Sequence, residues 1–232
     1  MTPSDCTEIN HRQNNCRQFT RNNRRVYECF NVTLATILPL PTATMILRIM
    51  NSTIPQLTSL VNSEIVTFVM NFCQLFYVSP EAFIFARNLR KLDLSHNLLK
   101  KLEFRRDSRL SIENLILSYN DLTAVPRMHS LQLLTHLDLS HNRIRYLTGD
   151  HLLLPKLEVV DLSYNQLHVV KPTDFGDMIR IVEIDGCPWR CDCHLRDFVA
   201  FQRKTLSAKS SWCYEPASIR GVRWDDISLE VS

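Results

Sequence analysis

The hexapeptide LDLSHN occurs at 92–97 and again at 137–142, and each copy sets an aspartate, a serine and a histidine within four residues. These are Asp93, Ser95 and His96, then Asp138, Ser140 and His141. In a hydrolase of that type the serine attacks, the histidine takes its proton and the aspartate orients the histidine. Such chemistry needs one nucleophile, one base and an oxyanion site, brought together once by the fold. Whether these residues form such a site depends on the elements that carry them.

Aligning the chain with itself gives those elements. The pattern L-x-L-x-x-N-x-L-x-x-L fits 92–102, 115–125, 137–147 and 160–170. Degenerate copies begin at 47 and 68, and VEIDGC at 182–187 opens a seventh. Successive starts lie 21, 24, 23, 22, 23 and 22 residues apart. A period this narrow marks a solenoid whose turns each bury one face against the next. Asp93, Asp138 and Asp161 share one offset; Ser95, Ser118, Ser140 and Ser163 share another; His96 and His141 alternate with Tyr119 and Tyr164. The triad types are therefore repeat positions, and no catalytic residue or enzyme activity is assigned. The four glycines, Gly149, Gly176, Gly186 and Gly221, make no phosphate-cradling loop, and no cofactor is expected.

Side chains alternate across a strand, so Leu92 and Leu94, or Leu137 and Leu139, face inward. Asn97, Asn120, Asn142 and Asn165 close their strands and enter the core, where an amide can satisfy the turning backbone. Cys73 and Cys187 stand at the same offset. From about residue 45 onward the chain resembles the leucine-rich repeat family. The resemblance implies an α/β repeat fold: a curved solenoid of about seven turns with a parallel concave sheet and disulfide-bonded caps at both ends. Phe83 and Phe175 would fill its convex side. The expected division is an N-terminal cap over 1–45, repeats over 46–186 and a C-terminal cap over 187–232.

Composition fits a folded protein, with 45% hydrophobic and 22% charged residues, and a net charge of +3 gives no case for nucleic acid. No membrane span is expected: the run 34–50 is broken by Pro39 and Pro41, and 66–78 is too short for a bilayer core of about 30 Å. Cysteines gather at the two ends: Cys6, Cys16 and Cys29, then Cys187, Cys191, Cys193 and Cys213. With the glycosylation sequons at Asn31 and Asn51, they favour an extracellular location, secreted or as an ectodomain. The opening MTPSDC lacks the features of a signal peptide, so a mature or trimmed form is expected.

CPWRCDCHLRDFVAFQRK, with Cys213 before Pro216, resembles the cysteine-rich C-terminal cap of extracellular leucine-rich repeat proteins. That likeness implies a Cys191–Cys213 bridge. It leaves a fourth partner open: a residue beyond Ser232, or Cys187 pairing with Cys193, which is the preferred arrangement. The rival is a zinc site of Cys191, Cys193, His194 and Cys213, whose spacing matches no usual zinc pattern. The odd count at the N-terminus leaves a thiol for Cys73 or for another chain. The end regions are also similar to insect leucine-rich immune proteins of the mosquito type, and the repeats to Toll-like receptor ectodomains. Those likenesses imply a disulfide-linked dimer and a role in innate immunity or receptor-type signalling, with a matrix or adhesion role as the alternative.

The expected partner is a protein ligand or co-receptor. Its binding surface is read as Asp93, His96, Tyr119, Asp138, His141, Asp161, Tyr164 and Glu183, on or beside the concave face. Two readings stay open for each feature. The acidic row is either a binding surface for a basic partner or repeat consensus. The rings are either a binding ridge or packing along the edge. A glycan on Asn51 would shade the first turns and leave turns three to seven for contact.

Overall fold

The computed structural model describes residues 15–33, 40–41, 43–206 and 210–227, so Cys6 lies outside the described residues. Two antiparallel strands open it, β1 (Cys16–Arg21) and β2 (Arg24–Phe30). Then come β3 (Ile46–Met50), β4 (Gln56–Leu57), β5 (Thr67–Asn71), β6 (Tyr77–Val78), β7 (Lys91–Asp93) and β8 (Asn114–Ile116). β9 (His136–Asp138), β10 (Val159–Asp161) and β11 (Ile181–Glu183) complete the strands. Nine of them form one sheet in the order β1-β2-β3-β5-β7-β8-β9-β10-β11, parallel from β2 onward, while β4 pairs with β6 on the return path. The seven repeat copies are β3, β5 and β7 to β11. Leu47, Phe68, Leu92, Leu115, Leu137, Val160 and Val182 stand level across them. The fold is the expected solenoid of about seven turns.

These level positions are fully buried, as are Leu94, Leu117, Leu139 and Leu162 two residues on. Burying each such side chain contributes about 2 kcal/mol. On the return path Phe83 packs against Phe68 and Phe104, with ring centres 6.4 and 6.3 Å away. The core is thus one continuous column running the length of the solenoid.

Asparagine side chains tie each turn to the one before it. The Asn120 amide nitrogen donates to the carbonyls of Leu94, Leu117 and Ser118 at 3.0, 3.0 and 3.3 Å, and its oxygen accepts from Leu99 N–H at 3.0 Å. Asn97, Asn142 and Asn165 repeat the arrangement. Where the sequence has no asparagine, smaller groups do part of the same work. The Cys73 thiol lies 3.2 Å from the Asn71 carbonyl, and the Ser52 hydroxyl donates to Met50 at 2.9 Å while accepting from Val32 N–H.

Cys187 departs from the expected pairing. It sits in this ladder, with its sulfur 3.4 Å from the Leu162 carbonyl and accepting from Asn165 N–H at 3.3 Å. It is a thiol, so the preferred Cys187–Cys193 bridge is not formed. The ladder offset, not the neighbouring cysteines, decides its role. Among the described residues the bridges are Cys191–Cys213 at the C-terminal end and Cys16–Cys29 across the β1–β2 hairpin. The first bridge consumes two of the four zinc candidates. Cys73, considered as a partner for an N-terminal cysteine, is instead a buried thiol in the ladder.

The open C-terminal end of the core is covered by α1 (Cys193–Thr205). Its Leu195, Phe198, Val199 and Gln202 fall at helical spacing and are buried. Phe198 meets Phe175 of the sixth turn at 5.8 Å and Trp224 at 6.1 Å, and Trp189 donates through its indole N–H to Ile184. Among the described residues no helix is long and apolar enough to cross a membrane.

Two outcomes are expected. Asn120→Ala, which orphans several buried peptide groups, lowers the unfolding free energy by about 3 kcal/mol in urea titrations, and Asn120→Cys costs roughly half as much. Burial raises the thiols of Cys73 and Cys187 from 9.0 to about 11. The native state therefore keeps protons that the unfolded chain releases above pH 9, so stability holds below that pH and falls toward pH 11. Iodoacetamide labelling followed by peptide mapping should find both thiols protected at pH 8.5 and modified once urea is added.

Candidate functional site

Each of the seven repeat strands ends in the same turn. The residue before the ladder position adopts a left-handed backbone in each copy: Asn51, Phe72, His96, Tyr119, His141 and Tyr164 have φ between 50° and 55°, and Gly186 has φ 70°. That conformation costs a non-glycine residue about 1–2 kcal/mol. The parallel register and the ladder beneath it hold the column in place. Asn31 after β2 (φ 48°) continues the column by one step.

Because the backbones superimpose, so do the side chains. Phe72 and His96 stack with centres 4.2 Å apart, His96 and Tyr119 at 4.3 Å, Tyr119 and His141 at 4.1 Å, and His141 and Tyr164 at 4.3 Å. Interplanar angles are 16° or less throughout. The stack stops at Gly186, where a Cβ would stand 2.5 Å from the Tyr164 ring. Phe72, Tyr119 and Tyr164 remain about half exposed, at 53%, 46% and 54%. Phe72, at the same repeat offset as His96, heads this ridge.

A second row runs parallel to the rings. Asp93, Ile116, Asp138, Asp161 and Glu183 are level neighbours on β7 to β11. Ser95, Ser140 and Ser163, between the two rows, are buried and hydrogen-bonded to the aspartates. Asp138 accepts from Ser140 N–H at 2.9 Å and from its hydroxyl at 2.7 Å, and Asp93 with Ser95 and Asp161 with Ser163 do the same. Each of the three carboxylates spends one oxygen, Oδ1, on its turn. Among the described residues, none of Asp93, Asp138, Asp161 and Glu183 forms an ion pair, which leaves adjacent like charges on one side of the sheet.

In each LDLSHN copy the serine hydroxyl donates to the aspartate, and the histidine ring is stacked between neighbouring rings. No hydrogen bond joins Ser95 to His96 or Ser140 to His141 among the described residues, so the three groups form no relay. No cluster of three or more metal-ligating side chains occurs among the described residues either.

Residues 132–186 match the leucine rich repeat family. The chain is a leucine-rich repeat solenoid. It is 26% identical to mouse CD180 antigen over 156 residues, 62% of this chain and 24% of the relative. It is 35% identical to zebrafish leucine-rich repeat-containing protein 3B over 109 residues, 45% of this chain and 42% of the relative. The matched part thus spans less than half of each of these relatives. A solved complex of latrophilin 3, Unc5D and FLRT2 contains a chain similar in fold, with a TM-score of 0.67 and 17% identity over 87% of this chain and 72% of that one. For this leucine-rich repeat chain the ring ridge and the acidic row are the candidate site.

Proposed function

We propose that the chain is an extracellular recognition module whose concave sheet and ring ridge bind a protein ligand or co-receptor, in innate immunity or receptor-type signalling. In this reading 1–45 and 187–232 cap the repeats of 46–186. The observation that carries it is the five-ring stack: its exposed ring edges, held in one line by backbone register, lose little conformational freedom when a partner covers them. The unpaired carboxylates beside it favour a partner with basic groups and give the encounter a salt dependence. Disulfides at both ends support an oxidising compartment. Asn31 and Asn51 are exposed and continue the ring column toward the N-terminus. Glycans there would shade that end and direct a partner to turns three to seven.

The test is a screen of the pentamerised chain against arrayed secreted and cell-surface ectodomains, followed by surface plasmon resonance on the hit. Tyr119→Ser with Tyr164→Ser, and separately Asp138→Asn with Asp161→Asn, should each weaken binding about 10-fold, or about 1.4 kcal/mol. The loss from the charge pair should shrink at high salt, with circular dichroism confirming the fold. Binding unchanged by both pairs would place the contact elsewhere and overturn the reading.

A further inference from the structure

On the return path, between the third and fourth turns, lies a cavity of about 350 Å³. Phe104, Arg105, Arg106, Arg127, His129 and Ser130 line it, together with the carboxylate-bearing Glu103. Glu103 and Arg127 are backbone neighbours across a parallel bridge, so adjacent turns contribute the two sides. Its position is separate from the ring ridge and the acidic row.

The charges around it are unevenly answered. Arg105 is neutralised by Asp107, at 2.6 Å, and by Glu81, at 3.2 Å. His129 lies 3.7 Å from Asp150. Arg106 and Arg127 have no carboxylate partner among the described residues, and neither do Lys100, Lys101 and Arg109 from the same return segment. Two guanidinium groups without an ion pair, Arg106 and Arg127, outnumber the one carboxylate in the lining, Glu103, and guanidinium groups are suited to sulfate or phosphate oxygens, which they grip in pairs. Phe104, buried against Phe83, closes the inner side of the cavity toward the core. The volume is within the range that holds a small ligand. The cations continuing along 100–109 would meet further units of a polymer.

We propose that this cavity binds a sulfated sugar unit of a glycosaminoglycan-type chain. The proposal rests on the extracellular reading for access to such a chain, but not on the concave face as the protein-binding site. The probe is size-defined heparin, tested by surface plasmon resonance in 100 mM salt with the intact chain. Arg106→Ala with Arg127→Ala should weaken binding at least 10-fold, while Arg21→Ala with Arg24→Ala, which removes the same charge from the β1–β2 hairpin, should change it less than 3-fold. Desulfated heparin should not bind. Asp138→Asn with Asp161→Asn should retain heparin binding, so that failure of the concave-face reading and failure of this one are separable. Equal losses from both arginine pairs, undiminished binding of desulfated heparin, or no binding of heparin at all would overturn the proposal.

Discussion

A chain that turns inward after every short strand buries peptide groups that no neighbouring strand can reach. Each one left without a partner costs about 1–3 kcal/mol. In this protein one side chain per turn meets that demand, and it does so in both directions. The amide of Asn120 serves carbonyls of its own turn and of the turn before, and its oxygen receives Leu99 N–H. The apolar column would hold the turns together without this device, but not in a single register. The ladder converts a stack of greasy turns into a ruled frame.

The surface features follow from that frame. A left-handed residue precedes each ladder position, and its side chain is repeated at every turn with the spacing of the sheet. Rings placed there have to stack, as they do from Phe72 to Tyr164. The aspartates two residues earlier on the serine side close the same turn through Ser95, Ser140 and Ser163, so one carboxylate is both a structural acceptor and part of an acidic row. Recognition surfaces of this kind need no separate scaffold, because the positions that fold each turn also aim its neighbours outward.

Much of this was legible in the sequence because a repeat reports its own register. Seven starts between 47 and 182 located seven strands, and the offset of Asn97 located the ladder. What escaped depends on contacts between distant residues. Cys187 reads equally as a cap cysteine and as a ladder residue, and only the Leu162 carbonyl and Asn165 N–H beside it decide. The Cys16–Cys29 bridge needs the hairpin register that places those two residues opposite each other. Handedness of the turn is signalled in the seven repeats by a single glycine, Gly186, and although the alternation of His96, Tyr119, His141 and Tyr164 marks a ridge in the sequence, their face-to-face stacking comes only from the superimposed turns. The cavity at Arg106 and Arg127 is likewise made by two turns and belongs to neither.

The central claim is that the ladder preorganises the ring ridge before any partner arrives. Proton spectra of the free chain, with labelled histidine, test it most directly. Imidazole protons of His96 and His141, each between two rings, should be shifted upfield of those of His136 and His168, which lie outside the stack, and Tyr119→Ser should move both back. Resonances of His96 and His141 indistinguishable from those of His136 and His168 would contradict the account.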